Sequence, residues 1–195
     1  MINWKFWEKK DNRIDKIIIN KQKVKIGVKK SAQWLNLNYK NKKPIIIGIL
    51  KGCIPFIGTI LPLLKFDFEI DFMSASSFKG GTDRQELVLS LDIKTDITDR
   101  DVIILEDIID TANTLTMVIK MLKERNPKSI KIVTLLDKPE TRQHNLKPDF
   151  AAFKIPNKFI VGFGLDYQEI MRNLPYIGTL KKEYIQNDKV KSKND

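Results

Sequence analysis

The spacing of apolar and polar positions changes several times along the chain, and each change predicts an element. Residues 21–39 place Val24, Val28, Ala32, Leu35 and Tyr39 three or four apart, which is one face of a helix. Pro44 then opens Ile45-Ile46-Ile47-Gly48-Ile49-Leu50, apolar at every position, as a strand buried on both faces must be. Lys51-Gly52 turns that strand into a helix reaching about Leu64. Phe68 to Ala75 reads as a second strand, with Glu69 and Asp71 alternating against Phe68, Ile70 and Phe72. Residues 76–99 lose the pattern: Gly80-Gly81-Thr82-Asp83 is mobile loop chemistry, and the alternation on either side predicts a weak two-stranded flap. A strand over 102–106 and a helix from about Thr114 to Arg125 follow, with Leu115, Val118, Ile119 and Leu122 inward and Asn126-Pro127 as the stop. Ile130 to Leu136 is another buried strand, and residues 150–164 alternate short strands about a Pro156-Asn157 turn. Strand and helix in alternation predict an α/β fold with a central, mostly parallel sheet and helices on both faces.

The stretch Val102 to Leu115 joins this pattern to chemistry. An apolar strand runs into the adjacent carboxylates Glu106 and Asp107, and Asp110 follows at the head of a Thr111-Ala112-Asn113-Thr114 loop that opens a helix. In open α/β sheets ligands bind beyond the carboxyl ends of strands. Three acids there repel one another unless a cation or a polyol lies between them. The loop offers backbone N–H groups, hydroxyls and a helix N-terminus, which suit a phosphate. A metal-and-ribose end beside a phosphate end describes a sugar phosphate.

Composition narrows the class. The 195 residues suffice for one domain of ordinary size. A single cysteine, Cys53, excludes an internal disulfide and a Cys-based zinc site; beside Lys51-Gly52 it reads as a buried filler or a reactive thiol. No apolar run resembles a signal peptide or approaches the ~20 residues of a membrane span, so a cytoplasmic protein is expected. The net charge of +11 is peripheral. Residues 1–43 hold 13 Lys and Arg against 3 acids and residues 181–195 hold 5 against 3, which leaves residues 44–180 with one net negative charge. The excess is a solvated Lys-rich face or a general attraction for RNA and other acidic surfaces. Trp4, Phe6 and Trp7 among lysines read as a small amphipathic contact, packing against a subunit, or disorder. His144 lies in a polar loop and is expected to be solvated.

Several segments together resemble the type I phosphoribosyltransferases, and among them the hypoxanthine-guanine enzymes. Glu106-Asp107-Ile108-Ile109-Asp110-Thr111 has the form of their phosphoribosyl pyrophosphate signature. Leu50-Lys51-Gly52, Ser76-Ser77-Phe78, Leu136-Asp137-Lys138-Pro139, Val161 to Tyr167 and Arg172 to Gly178 fall in the family's order and approximate spacing. The resemblance covers roughly residues 14–184, expected as one phosphoribosyltransferase domain between a loose extension (1–13) and a flexible Lys-rich tail (185–195). It implies a small hood from the N- and C-terminal pieces, beside the flap. It also implies a purine salvage enzyme that transfers the phosphoribosyl group of 5-phosphoribosyl 1-pyrophosphate to hypoxanthine or guanine, giving IMP or GMP. Alternatives are a transferase of this fold using xanthine, or an RNA-binding regulator that kept the fold.

The same resemblance implies residue roles. Glu106 and Asp107 hold the ribose diol and magnesium; Asp166 lies near a second metal and the purine edge. Asp110 is the base that takes a proton from purine N7, although Asp before Thr-Ala-Asn-Thr is also a good helix cap. Thr111, Ala112, Asn113 and Thr114 bind the 5′-phosphate. Lys51 and Gly52, at a non-proline cis peptide in the family, bind pyrophosphate with Arg172; a plain turn with a surface lysine and an ordinary surface arginine are the alternatives. Lys138 donates to purine O6, Phe159 stacks on the base unless it is a core aromatic, and Ile160 offers backbone contacts. Tyr167 is expected to be structural. Ser77 and Phe78 serve the flap. Partners implied are phosphoribosyl pyrophosphate and a 6-oxopurine, with a homodimer or homotetramer, and neither a membrane nor a specific nucleic acid. Two departures stand out: Phe78 replaces the usual flap tyrosine, and Ala112 replaces the usual phosphate-loop glycine, where φ < 0 is expected to make the alanine harmless.

Overall fold

The computed structural model of the chain describes residues 10–79 and 85–185, with the backbone alone at 76–79 and 85–87. The chain forms two compact units: residues through Ile26 together with those from Lys158 onward, and Gly27–Asn157.

The larger unit is built on six strands. β2 (Ile45–Ile49), β3 (Glu69–Lys79), β4 (Gln85–Leu91), β5 (Asp101–Ile109), β6 (Ser129–Asp137) and β7 (Phe150–Lys154) lie in the order β4-β3-β2-β5-β6-β7. Every neighbouring pair is parallel except β3 with β4. That antiparallel pair continues to Ser77↔Leu87 and Lys79↔Gln85, so the expected two-stranded flap is present in the backbone. The Gly80-Gly81 turn, the side chains of Ser77 and Phe78, the aromatic residues near the N-terminus and the tail from residue 186 lie outside the described residues.

All five residues of β2 are buried, which accounts for its apolar character at every position. Side chains alternate across a sheet, so the two faces separate cleanly. Ile45, Ile47, Val102 and Ile104 pack with Leu115, Val118 and Leu122 of α3 (Asn113–Lys123) on one face. On the other, Gly48 leaves room for Ile57 of α2 (Ile54–Ile60): a Cβ there would lie 2.3 Å from Ile57 Cδ1. The register Gly48↔Leu105↔Val133↔Phe150 carries that face across to β7, where Trp34 of α1 (Lys21–Asn38) packs against Phe150 with ring centroids 5.9 Å apart. Val24, Val28, Ala32 and Leu35 along α1, and Tyr39 just past its end, are all buried. Cys53 is fully buried, and burial pushes its thiol up to about 12, as befits a filler rather than a nucleophile.

In the smaller unit β1 (Ile14–Ile19), β8 (Ile160–Val161) and β9 (Ile177–Leu180) form an antiparallel sheet in the order β1-β9-β8. Ile14, Val161, Met171, Tyr176 and Leu180 make its core.

Two boundaries differ from the pattern in ways that matter for the site. β5 runs to Ile109 rather than stopping at Glu106, because Ile108 and Ile109 keep pairing with Leu136 and Asp137 of β6. Its pairing with β2 ends at Leu105, so on that side Glu106 and Asp107 already stand beyond the neighbouring strand. The helix after the loop begins at Asn113, one residue earlier than expected.

Candidate active site

The carboxyl ends of β2, β5 and β6 bring the larger unit's candidate residues together. The Leu50–Lys51 peptide after β2 is cis, as the family resemblance implies, and the chain turns there with Ile54 N donating to the Lys51 carbonyl at 3.3 Å. Gly52 is buried against Asp107: a Cβ at this position would lie 1.9 Å from Asp107 Oδ2 and 2.7 Å from its Cγ. The first motif therefore needs glycine so that the second can hold its carboxylate in place.

Asp107 is buried and accepts from the Ile108 N–H at 2.9 Å. Glu106 is half-buried; burial, and then the charge of Asp107 beside it, push its carboxyl well above the usual carboxylate range. Two adjacent hard oxygen donors, one resisting ionisation through burial and then through its neighbour's charge, are a donor set that a cation relieves. Among the described residues no three acids, histidines or cysteines gather into a closed cage. Such an open pair fits magnesium, which keeps several waters and shares one or two carboxylates with substrate oxygens.

Asp110 is the first residue past β5 and is partly exposed. Its Oδ2 accepts from Lys138 Nζ at 2.7 Å, and its Oδ1 accepts from the Thr141 hydroxyl. It does not cap the helix: the N-cap of α3 is Ala112, with no side-chain cap. The first residues of α3 carry the partial positive charge of a helix N-terminus, which suits an anion. Around them, Thr111 Oγ1 accepts from Asn113 N at 3.4 Å, and Asn113 Nδ2 donates to Gln143 Oε1 at 2.9 Å. Thr114 is the second residue of α3.

The expectation of φ < 0 at Ala112 is overturned. Ala112 sits at φ 66, ψ 13, the left-handed conformation that the usual glycine adopts freely and that costs alanine about 1–2 kcal/mol. Its methyl is buried with Ile109, Leu115 and Val118, and that apolar packing offsets much of the cost.

Lys138 is nearly buried, with a side chain only 8 % exposed, and follows β6 directly. Its neighbour Asp137 is paired with Arg142, a residue that motif reading passed over as part of the His144 loop. Arg142 Nε donates to the Asp110 carbonyl at 3.1 Å and Nη2 to the Ile109 carbonyl at 3.2 Å, and Nη1 donates to the Leu146 carbonyl. One partly buried guanidinium therefore ties the ends of β5 and β6 together. The three carbonyls it holds are invisible in a sequence; the signal that was present is an arginine three residues after Pro139, just beyond the matched Leu136 to Pro139. His144 is exposed, as expected.

The smaller unit holds the remaining candidates. Phe159 is 49 % exposed, out of the core, and meets Tyr167 edge-on with ring centroids 5.7 Å apart. Ile160 is buried in β8. Tyr167 donates its hydroxyl to the Tyr184 carbonyl at 2.7 Å, a structural role. Asp166 pairs with Arg172 at 2.8 Å and accepts from the Glu169 N–H at 2.9 Å. Arg172 also reaches Glu169 at 3.2 Å and the Gly164 carbonyl at 2.8 Å. This segment winds through positive φ at Phe163, Gln168, Glu169 and Met171 as well as at Gly162 and Gly164.

Comparison with known proteins identifies the family. Residues 16–168 match the phosphoribosyl transferase domain family. The hypoxanthine-guanine phosphoribosyltransferase of Lactococcus lactis subsp. lactis is 44 % identical over 89 % of this chain and 94 % of its own. That of Mycoplasma genitalium is 40 % identical over 87 % and 98 %. Among solved structures, a hypoxanthine phosphoribosyltransferase from Staphylococcus aureus superposes with a TM-score of 0.85 at 38 % identity, covering 89 % of this chain and 95 % of that one. With a matched fold, a matched family domain and relatives aligned along almost their whole length, the chain belongs to the hypoxanthine-guanine phosphoribosyltransferase family of phosphoribosyl transferases.

Proposed function

We propose that this protein transfers the phosphoribosyl group of 5-phosphoribosyl 1-pyrophosphate to hypoxanthine or guanine, releasing pyrophosphate and forming IMP or GMP. The observation that carries the reading is the Asp110 carboxylate, bound by Lys138 and Thr141 instead of capping α3, directly beside an uncapped helix start.

A neutral oxopurine attacks C1 of the ribose through its N9 lone pair, the C1–O pair departs with pyrophosphate, and the N7 proton has to leave. Asp110 accepts that proton, a form of assistance worth roughly 10²–10⁴ in rate. Lys138, fixed by its ion pair with Asp110, donates to the O6 oxygen; a six-amino group would present it with a second donor. Thr111, Asn113, Thr114 and the α3 amide groups take the 5′-phosphate, with Ala112 shaping the loop. The turn at Lys51-Gly52 and Arg172 take pyrophosphate, and Phe159, Ile160 and Asp166 serve the purine. Glu106 and Asp107 would hold magnesium, which would supply neutralisation of charge on the departing pyrophosphate. The catalytic domain is taken as residues 14–184. A homodimer or homotetramer in the cytoplasm is proposed on family resemblance; among the described residues no helix is long and apolar enough to cross a membrane.

Pyrophosphate release from phosphoribosyl pyrophosphate and magnesium, measured with hypoxanthine, guanine, xanthine and adenine in turn, tests the reading. Turnover with hypoxanthine or guanine well above adenine is expected. No release with either oxopurine would refute it.

A further inference from the structure

Thr141 is placed where a base at Asp110 has a use for it. Its hydroxyl donates to Asp110 Oδ1 and lies 3.0 Å from the Lys138 carbonyl oxygen, within reach of both acceptors. A hydroxyl has one hydrogen, so it serves one of them at a time while its lone pairs can accept from the other side. The rest of Asp110 faces fixed donors: Lys138 Nζ on Oδ2, and Arg142 Nε on its backbone carbonyl, with Arg142 itself held by Asp137. Oδ1 therefore meets a group that can either give or take a hydrogen bond, and Oδ2 meets one that can only give.

Two arrangements satisfy every atom. With Asp110 ionised, Thr141 donates to Oδ1 and the Lys138 carbonyl is left to other partners. With a proton on Oδ1, that O–H donates to Thr141 Oγ1, and Thr141 turns its own hydrogen to the Lys138 carbonyl. A lysine or arginine in this place would suit the first arrangement alone.

Resting on the reading of Asp110 as the purine base, we infer that Thr141 is a positioning residue that holds Asp110 in both protonation states by reversing its hydrogen bond when the proton arrives. The proton leaves N7 and its bonding pair stays on the ring; an O–H bond forms at Oδ1. Thr141 keeps its own hydrogen throughout and changes only its direction. Motif reading offered no hint of this, because position 141 carries no charge and lies outside the matched tetrapeptide Leu136 to Pro139.

The test is a double-mutant cycle in kcat for hypoxanthine with Thr141→Val, Thr141→Ser and Asp110→Asn. Loss of a hydrogen bond to a charged group should lower kcat of Thr141→Val by about tenfold. The Michaelis constant for phosphoribosyl pyrophosphate should stay within about twofold, and Thr141→Ser should restore kcat to within about twofold. In the Asp110→Asn background, Thr141→Val should add less than about twofold, since the group it serves no longer accepts a proton. An unchanged kcat in Thr141→Val, or a full penalty persisting in the Asp110→Asn background, would overturn the inference. Asp110→Asn alone decides the reading beneath it: wild-type turnover in that variant removes the base, and the inference goes with it. Should Thr141→Val fail to fold, Thr141→Ala carries the same comparison.

Discussion

Lys138–Asp110 and Arg172–Asp166 are ion pairs of nearly equal length, 2.7 and 2.8 Å, set in opposite surroundings. In the first the cation is buried and the carboxylate is 43 % exposed, so the acid can meet a ligand while its partner stays in place. In the second both members are engaged on several sides. Arg172 holds Asp166, Glu169 and the Gly164 carbonyl, and Asp166 also binds the Glu169 amide. The buried Nε of Arg172 has no hydrogen-bond partner among the described residues. On the proposed roles, the first pair is organised for chemistry as it stands, whereas the second would exchange a carboxylate for a phosphate for Arg172 to grip pyrophosphate. Preorganised groups lower a barrier without moving, and competed ones set an affinity.

That contrast breaks most sharply at Asp110. Asp110→Asn should lower turnover with hypoxanthine roughly 10²–10⁴-fold and leave phosphoribosyl pyrophosphate affinity within a few-fold, since it removes the proton acceptor and the charge paired with Lys138 while keeping the side chain's shape. Steady-state kinetics beside calorimetric binding would check this, and a fall in turnover below about threefold would return Asp110 to a structural role.

Gly52→Ala comes next. The added methyl lands on the Asp107 carboxylate and has to push it or the turn aside. A displacement of that order costs on the order of 10² in kcat/KM for phosphoribosyl pyrophosphate. Kinetics within about twofold of wild type would mean that the turn and Asp107 do not depend on each other.

The smallest effect belongs to the second pair. Glu169 is largely exposed and, if Arg172 binds pyrophosphate as proposed, would compete with phosphate for it, so Glu169→Gln should lower the Michaelis constant for phosphoribosyl pyrophosphate by about twofold with kcat unchanged. A higher Michaelis constant would show that Glu169 supports Arg172 rather than competes for it.

The same contrast separates what was legible in the sequence from what was not. β2 has no polar residue and β5 and β6 carry apolar runs because both faces are covered, and α1 shows its buried side as a clean helical spacing, so the sheet and its helices could be read directly. Glu106, Asp107 and Asp110 stood out because charge interrupts such a strand. The end of β5 was misjudged because the acids resemble a terminus while Ile108 and Ile109 go on pairing with β6. At Ala112 the left-handed backbone was missed, since composition favours glycine there and the buried packing that holds an alanine in place is a tertiary fact. The segment from Gly162 to Arg172 is built from isolated bridges and positive φ at residues other than glycine, with no period to read, so its ion pairs could come only from structure. Thr141 and Arg142 act through carbonyl and carboxylate oxygens brought near by folding, which leave no mark in residue spacing.

The central claim is that the Asp110–Lys138 pair reads and deprotonates a 6-oxopurine. Its most direct test is the ratio of kcat/KM for hypoxanthine to that for adenine in wild type and in Lys138→Gln. A glutamine amide can donate or accept at the six-position, so the ratio should fall by at least about tenfold, driven by weaker use of hypoxanthine. Unchanged hypoxanthine kinetics with an unchanged ratio would contradict the claim and leave Lys138 as a buried partner for Asp110 alone.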